Sequence, residues 1–495
     1  MTAGLTAGLV FGVDQGTSST KAVALDANGA VRAQAQVAIA QATPRPGWVE
    51  QDPVAIWDSV CVCLNDLADQ TEGGPVTVGL SNQRESALVW RADDARPLSP
   101  LLGWQDRRTA DQAQRLAAAG VAAEVRRRSG LPLDPMFSAL KFSWLLDQVD
   151  PDRRLARSGR LRLGTVDAWL VDRLTGQFRI EAGNAARTQL MSLASLDWDD
   201  WLLDLFRVPR AALPPIMPSN QPSAPIDLLR RRGRAVGFGA VLGDSHAALY
   251  GHGVRAPGTV KASYGTGSSI MGLSQAAQTD GGLVQTLAWL TDRPARAFEG
   301  NILSSGGTLV WLARLLAASP DDLAQWARAG RETSGVVLVP AFAGLGAPHW
   351  DPRAVAVLAG FDQGVTRADL ARAAFESIAH QIEDVLVRAD QAAGRPIDLV
   401  LTDGGPSRND WLMELQASLS GRVVARPDQA QLSVVGVCQL AGQSAGLWDE
   451  AALAAWPRSR RQFQPSWTAE RRQAARAVWA AGLARARLRP TESPS

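Results

Sequence analysis

The chain has 495 residues, of which 46% are apolar and 20% are charged, and its formal net charge is +2. A chain of this length exceeds one hydrophobic core, and this composition excludes a disordered protein, so we expect two large globular domains. A net charge so close to zero gives no reason to expect a nucleic-acid partner or binding to an anionic membrane.

Cysteine usage and the absence of targeting signals indicate the compartment. The three cysteines, Cys61, Cys63 and Cys438, form neither a disulfide framework nor a zinc-binding pattern. The sequence shows no signal peptide, and no run approaches the ~18 apolar residues that span a membrane. We therefore expect a soluble protein of the reducing cytoplasm.

A glycine- and hydroxyl-rich segment near the start of the chain separates two apolar runs, residues 9–13 and 21–25, and reads DQGTSSTK. Gly16 permits a tight turn, and the four hydroxyl residues after it can form a cup of donors suited to phosphate oxygens. Lys21 adds a positive charge, and Asp14 is placed to hold Mg²⁺ through water. An ordinary polar hairpin explains the same residues, and the spacing is not that of a Walker A loop.

The second half of the chain repeats this pattern. Residues 260–271 again read as strand, glycine-hydroxyl turn and strand, with the turn sequence YGTGSS. Two such hairpins indicate a duplicated fold whose halves each grip the phosphates of one nucleotide.

Between the hairpins, a predicted strand over residues 76–81 runs out into Arg84 and Glu85. Ligands of α/β folds are met at strand ends, and an Arg beside a Glu can hold a hydroxylated ligand with one donor and one acceptor. Trp104, next to polar residues, suits the face of a small polyol or sugar, or is simply packed.

Two aspartates stand where a helix is predicted to begin, and both are interpreted first as N-caps. Asp167 carries no other interpretation. Asp244 follows a strand over residues 240–243, and it is also placed as a kinase base that orients and deprotonates an attacking hydroxyl.

Glycine turns open two predicted helices in the second half. Gly306 precedes a helix that reaches residue 317, and Gly405 lies between a strand over residues 399–402 and a helix over residues 410–419. Such turns allow the close approach of a nucleotide. The tail over residues 490–495 is predicted to be frayed.

Taken together, these motifs resemble the FGGY carbohydrate kinases, most closely their glycerol kinase branch. The resemblance covers the chain from about residue 10 to residue 448 and rests on DQGTSSTK, SNQRES, WQDRRT, SGLPLDPMFSALKFSWLLD, GTVDAWL, LDWDDWLL, GDSHAALYG, YGTGSS, PAFAGLGAPHWDP and DGGPSRNDWLMELQA. It implies an α/β, duplicated actin-like and ribonuclease-H-like fold with ATP in the cleft between two domains, residues 1–251 and 252–495. It further implies phosphoryl transfer from ATP to a hydroxyl of a small polyol or sugar, and a homo-oligomer, namely a dimer.

Residue roles are implied by the same motifs. Asp14 is implied to lie near Mg²⁺, and Asp244 to be the catalytic base. The nucleotide-binding residues are implied to be Thr17, Ser18, Ser19, Lys21, Thr266, Gly306, Gly405 and Asn409. The substrate-binding residues are implied to be Arg84, Glu85, Trp104, Met136, Asp244, Ser245 and Ser269.

Three positions depart from the glycerol kinase pattern. Met136 replaces the usual Tyr, Ser245 the usual Gln, and Ser269 an aromatic residue. The lining loses features shaped for glycerol, which favours a longer polyol or a ketose. The alternatives are a glycerol kinase with an altered pocket and, in another class, a non-catalytic actin-like nucleotide-binding protein, although a filament or chaperone has no need of Arg84 and Glu85 beside Asp14 and Asp244.

Overall fold

A computed structural model of the chain describes residues 8–488 except 222–225, 231–233, 235, 276–281, 333 and 429–430. The predicted frayed tail, residues 490–495, lies outside the described residues. The chain divides into two compact units. Unit 1 comprises Met1–Gly253, Gln285–Ala297 and Gln431–Pro457, and unit 2 comprises Val254–Val284, Phe298–Ala430 and Arg458–Ser495. In the described part of the chain, no helix is both long enough and apolar enough to cross a membrane.

The described residues form strands and helices throughout both units. The strands are β1 (Leu9–Gln15), β2 (Ser19–Asp26), β3 (Val31–Ala38), β4 (Glu50–Gln51), β5 (Val76–Asn82), β6 (Leu88–Arg91), β7 (Leu101–Leu102), β8 (Leu161–Gly164), β9 (Ile180–Glu181), β10 (Met191–Ser192), β11 (Asp197–Trp198), β12 (Ile216–Met217), β13 (Val236–Gly243), β14 (Thr259–Tyr264), β15 (Ser268–Leu273), β16 (Val284–Leu290), β17 (Pro294–Ile302), β18 (Val337–Val339), β19 (Val357–Ala359), β20 (Leu399–Gly404), β21 (Val423–Pro427) and β22 (Arg460–Phe463). The helices are α1 (Pro53–Gln70), α2 (Ala110–Ala118), α3 (Ala122–Ser129), α4 (Ser138–Val149), α5 (Arg154–Arg157), α6 (Val166–Thr175), α7 (Ala182–Ala185), α8 (Asp200–Leu205), α9 (Asp227–Arg230), α10 (Asp244–Gly251), α11 (Gly306–Leu315), α12 (Pro320–Ala329), α13 (Arg367–Ala393), α14 (Asp410–Ser420), α15 (Leu432–Ser444), α16 (Glu450–Ala454) and α17 (Ala469–Ala486).

The main sheet of unit 1 has the strand order β13-β5-β1-β2-β3. Strands β1, β2 and β3 form an antiparallel meander, whereas β5 and β13 run parallel to β1. The first predicted hairpin is therefore present, but its strands are longer than the apolar runs because Asp14 pairs with Lys21 and Gln15 with Thr20. Only three residues, Gly16 to Ser18, remain in the turn.

The main sheet of unit 2 repeats this arrangement. The order β17-β15-β14-β20-β21 places the hairpin β14-β15 beside β20, which runs parallel to β14, and β21, which runs parallel to β20. Strand β22 extends one edge in the antiparallel direction, and β16 pairs with β17 at the other. The same strand order in both units confirms the predicted duplicated, ribonuclease-H-like α/β fold.

Packing assigns two late segments to unit 1, although a single boundary was expected at residues 251/252. One of them contains α15, which packs directly on α10: a Cβ at Gly436 would lie 1.8 Å from the Ala247 carbonyl oxygen, and a Cβ at Gly251 would lie 2.4 Å from the Leu432 carbonyl oxygen. Glycine at both positions lets the two helix backbones touch. The order of motifs along the chain gives no sign of this return.

Both aspartates interpreted as N-caps lie inside their helices. Helix α6 has Thr165 as its N-cap, and the buried Asp167 accepts hydrogen bonds from the Thr165 hydroxyl and, at 3.0 Å, from the Glu181 amide. Helix α10 has Gly243 as its N-cap and begins with Asp244 itself. Helix boundaries shift by one or two residues because the capping residue is chosen by backbone geometry, which the sequence pattern does not resolve. Capping therefore does not account for Asp244.

Candidate active site

Asp14 is the last residue but one of strand β1, which lies between β2 and β5 in the unit 1 sheet. Its Cα is opposite that of Lys21 on β2 and that of Ser81 on β5, and the Ser81 hydroxyl donates to Asp14 Oδ1 at 2.7 Å. Burial raises the pKa of Asp14 to about 6, the Ser81 hydrogen bond opposes this rise, and the nearby charge of Asp244 adds to it. The two carboxylates are therefore close enough to repel each other.

Asp14→Asn is expected to stabilise the free protein at neutral and alkaline pH. A raised folded-state pKa means that stability is lost as the pH rises from the ordinary carboxyl range through about 6, and asparagine, which does not titrate, avoids this loss. The variant should melt above wild type at about pH 8, with a smaller difference at about pH 5.

Asp26→Asn is the matched control for this change. Burial of Asp26 is outweighed by hydrogen bonds from the Ala30 amide and the Arg32 guanidinium, so its pKa is lowered. Its replacement should lower the melting temperature at alkaline pH, the opposite sign. Equal melting curves for wild type and Asp14→Asn at alkaline pH would contradict the buried-charge assignment.

The first hairpin offers fewer hydroxyls than its sequence suggests. Ser18 is exposed and Thr17 half-buried in the turn, whereas Ser19 is buried in β2. Thr20 points into the core, where its hydroxyl hydrogen-bonds Ser59 at 2.7 Å. The turn itself therefore presents Thr17 and Ser18, with the half-buried Lys21 on the adjoining strand.

Arg84 and Glu85 follow β5, and Arg84 forms an ion pair with Asp244. Arg84 Nε lies 3.1 Å from Asp244 Oδ1, and Arg84 Nη1 lies 4.0 Å from Glu85 Oε1. The side chains of Arg84 and Glu85 are only 8% and 7% exposed, whereas that of Asp244 is 37% exposed. Three predicted site residues are thus brought together, with Asp244 as the accessible member.

Two basic residues that sequence reasoning did not assign hold Glu85 in place. Arg187, which follows α7, donates through Nε to Glu85 Oε1 at 2.5 Å, and its guanidinium lies 5.3 Å from the ring of Phe137. Lys141 on α4 donates to the carbonyl oxygens of Glu85 at 2.8 Å and of Met136 at 2.6 Å. These contacts fix a residue whose φ of 60° is left-handed. Lys141 is one of only three lysines in an arginine-rich chain, which is the one sequence signal that pointed to it.

The remaining predicted substrate residues divide between the units. Lys141 donates to the carbonyl oxygens of both Met136 and Glu85, which places Met136 near Glu85. Ser245 directly follows Asp244 on α10. Both residues therefore lie in unit 1, beside the cluster of Arg84, Glu85 and Asp244. Trp104 is 39% exposed and donates through its indole N–H to the Thr17 hydroxyl at 3.1 Å. It is therefore a neighbour of the first hairpin.

Ser269 lies on β15 of unit 2, where its side chain is already engaged. The Ser269 hydroxyl donates to Glu299 Oε1 at 2.9 Å, and Glu299 is fully buried on β17. An aromatic residue at this position would have to leave Glu299 without that donor.

The turn of the second hairpin accepts hydrogen bonds from the N-terminus of helix α11. The amides of Ser305, Gly306 and Gly307 donate to carbonyl oxygens of Gly265 and Thr266 at 2.8–3.0 Å. A Cβ at Gly306 would lie 2.6 Å from the Gly265 carbonyl oxygen. Glycine at position 306 is therefore required by the hairpin backbone itself, independently of any nucleotide, while Thr266 stays exposed at the turn.

Gly405 and Asn409 occupy the turn between β20 and α14. A Cβ at Gly405 would meet nothing within 4 Å in the described part of the chain, so packing gives no reason for glycine there. Asn409 is the N-cap of α14 and accepts the Leu412 amide at 3.1 Å. The cap explains the asparagine, whereas the open Gly405 leaves room for a ligand to approach the backbone.

Comparison with known proteins places both units in one family. Residues 9–249 match the N-terminal domain, and residues 260–445 the C-terminal domain, of the FGGY family of carbohydrate kinases. The chain is 38% identical over 493 residues to the apulose kinase of Pectobacterium atrosepticum, covering 97% of this chain and 99% of that protein. It is 39% identical over 490 residues to the glycerol kinase of Aromatoleum aromaticum, covering 97% and 98% of the two chains.

Solved structures agree on the fold. The Plasmodium falciparum glycerol kinase with ADP superposes with a TM-score of 0.90 at 23% identity, covering 97% of this chain and 99% of that one. The xylulose kinase of Lactobacillus acidophilus superposes with a TM-score of 0.87 at 21% identity, covering 96% of each chain. With both domain models matched and relatives aligned over nearly the whole length, the chain belongs to the FGGY family of carbohydrate kinases and is an ATP-dependent kinase of a sugar or polyol.

Proposed function

We propose that this kinase transfers the γ-phosphoryl group of ATP to a hydroxyl of a polyol or ketose with more than three carbons. The observation that carries the proposal is the cluster of Arg84, Glu85 and Asp244, in which two buried charged residues surround an accessible carboxylate. Such a cluster can accept and donate hydrogen bonds to several hydroxyls at once.

Asp244 is the proposed base. Both of its hydrogen bonds in the described residues, from Arg84 Nε and from the Ser245 amide, go to Oδ1. Oδ2 is therefore available to accept the proton of the attacking hydroxyl, while Arg84 fixes the orientation of the carboxylate. Glu85, held by Arg187, would accept a second substrate hydroxyl and so fix which one attacks.

Mg²⁺ and the phosphates are proposed to bind at Asp14 and the first hairpin. Kinases hold Mg²⁺ with one or two carboxylates together with phosphate oxygens and water, so the pair of Asp14 and Asp244 fits it. A cation there would also relieve the repulsion between the two carboxylates. When bound, the ion neutralises charge on the phosphates.

Both hairpins are proposed to contact the nucleotide phosphates, and bulky apolar replacements test this. We expect Thr17→Leu and Thr266→Leu each to weaken ADP affinity in calorimetry, because the hydroxyl donors are lost and the turns are blocked. Binding of the hydroxylated substrate alone should be spared.

Thr20→Val is the control for these variants, because the Thr20 hydroxyl is turned towards Ser59 inside unit 1. It should leave ADP affinity unchanged. ADP affinity equal to wild type in both leucine variants would overturn the assignment of the hairpins.

The substrate is proposed to be longer than glycerol because the lining of the site differs. Two of the three departures from the glycerol kinase pattern lie beside the proposed site. Met136 accepts a hydrogen bond from Lys141 through its carbonyl oxygen, and Ser245 directly follows Asp244. Relatives that align over nearly the whole chain are named for apulose as well as for glycerol, so the family scaffold accommodates both kinds of acceptor. Unfilled apolar space costs only about 1–3 kcal/mol, so glycerol should remain a poor substrate.

A coupled assay over three- to seven-carbon polyols and ketoses tests specificity. We expect kcat/KM to be highest for a four- or five-carbon acceptor. Met136→Tyr combined with Ser245→Gln should shift the ratio towards glycerol, and adding Ser269→Phe should shift it further.

Ser269→Ala controls for the lost hydrogen bond to Glu299 without adding a ring. A wild-type kcat/KM that is highest for glycerol would refute the proposal and leave the alternative, a glycerol kinase with a repacked pocket.

We further propose that the protein is cytoplasmic and forms a homodimer. Cys61, Cys63 and Cys438 are all free thiols, which supports the reducing cytoplasm. The predicted homodimer is tested by light scattering on the purified chain, where a monomer at micromolar concentration would exclude it.

A further inference from the structure

Unit 2 contains a cavity of about 480 Å³, and none of its lining residues has a proposed role in the kinase site. It lies among β18, one face of α13, the C-terminal half of α14 and α17. None of the four nucleotide residues proposed in unit 2 lines it. Its volume is within the range of ligand-binding cavities, about 300–1,000 Å³.

Apolar side chains form most of the wall. The apolar lining residues include Leu415 and Leu419 of α14, Ala475 and Val478 of α17, and Trp467. Alanine at 475 leaves room where a larger residue would fill the space. A flat apolar molecule fits such a wall better than a hydrated polyol does.

His380 is a buried residue in the lining of this cavity, and its ring carries a hydrogen-bond donor. The residue is only 7% exposed, and its Nδ1 accepts from Arg476 Nη1 at 3.2 Å, because a guanidinium can only donate. Burial lowers the pKa of His380 to about 3, so the ring is neutral and its hydrogen is on Nε2. In the described part of the chain, Nε2 has no hydrogen-bond partner.

Glu376 presents an acceptor one helical turn before His380. Both line the cavity from α13, and residues four apart on a helix lie side by side. Glu376 Oε1 accepts from Arg372 Nε at 2.7 Å, and the side chain is 24% exposed. Burial raises the pKa of this carboxyl group.

The charges around the cavity cancel. Arg372 pairs with Glu376 and, at 3.4 Å, with Glu332, which also pairs with Arg471 at 2.6 Å. With two arginines against two glutamates, the site has no net charge to attract an ion.

We propose that this cavity binds a neutral, planar heteroaromatic molecule whose edge carries an N–H donor for Glu376 and a ring-nitrogen acceptor for the Nε2–H of His380. The proposal does not depend on the kinase site. A nucleobase and other heteroaromatic compounds share this edge chemistry.

Benzimidazole, which has both groups, is the probe, and its binding to the full-length chain is measured by calorimetry. Indole lacks the ring acceptor and 1-methylbenzimidazole lacks the N–H donor, so each should bind about 2- to 10-fold more weakly. This series uses the wild-type chain and does not depend on any variant folding.

Ala475→Phe fills the cavity and should weaken benzimidazole about tenfold or more. Ala477→Phe, at an exposed position of the same helix outside the cavity, is the matched control and should bind as wild type does. Adenine distinguishes the sources: weaker adenine binding in Ala475→Phe indicates a nucleobase occupant, whereas adenine unaffected by a change that weakens benzimidazole indicates another heteroaromatic. No benzimidazole binding, equal binding of all three probes, or binding unchanged in Ala475→Phe would overturn the proposal.

Discussion

Asp244→Asn is expected to lower kcat by about 10²- to 10⁴-fold while ADP affinity stays close to that of wild type. The amide keeps the shape of the side chain and can still accept from Arg84 Nε through its oxygen, but it cannot take the hydroxyl proton. Steady-state kinetics with the best acceptor and calorimetry with ADP measure the two quantities.

Asp52→Asn is the control for this substitution. Asp52 is the N-cap of α1 and accepts the Val54 amide. Among the described residues it has no hydrogen bond to a site residue, so the same isosteric change should leave kcat unaltered. A wild-type kcat in Asp244→Asn would show that Asp244 is not the base. Because Gly243, and not Asp244, caps α10, loss of a helix cap does not offer a second explanation for lost turnover.

Arg187→Met is expected to destabilise the protein by about 3–5 kcal/mol, because it leaves the Glu85 carboxylate buried without its hydrogen-bonded partner. The Arg84 guanidinium, at 4.0 Å, is too far to replace that hydrogen bond. Urea unfolding measures the loss, and KM for the acceptor should rise in parallel.

The double variant Arg187→Met with Glu85→Gln separates stability from recognition. Removing both charges should restore most of the stability, since no ion is left unpaired. KM should remain high, because a neutral amide oxygen accepts a hydrogen bond from a substrate hydroxyl more weakly than the Glu85 carboxylate does. Stability of Arg187→Met equal to wild type would refute the role of Arg187, as would recovery of both stability and KM in the double variant.

Local patterns carried most of the prediction of the fold. Each hairpin joins strands that are neighbours in sequence, so glycine, hydroxyl and apolar positions suffice to place them, and their repetition predicted the duplicated sheet. Arg84 and Glu85 were found by the rule that strand ends of α/β folds meet ligands. The burial of these two residues was not predicted, nor was the pairing of Arg84 with Asp244 and of Glu85 with Arg187.

What the sequence could not supply is contact between distant segments. Arg187 and Glu85 are 102 positions apart, and no sequence pattern near Arg187 marks it as the partner of Glu85. The return of α15 to unit 1 depends on backbone contact at Gly436 and Gly251, which no periodicity expresses. The inward turn of Thr20 likewise depends on Ser59 of α1, 39 positions away.

Direct detection of the product tests the central claim, that the unit 1 cluster around Asp244 transfers phosphate from ATP to a carbon-bound hydroxyl. Phosphorus NMR of the wild-type chain with ATP, Mg²⁺ and the acceptor panel should show a phosphate monoester appearing in equal amount with ADP. Asp244→Asn should form neither at a comparable rate. ADP released without any phosphorylated acceptor, or phosphorylated acceptor formed equally fast by Asp244→Asn, would contradict the account.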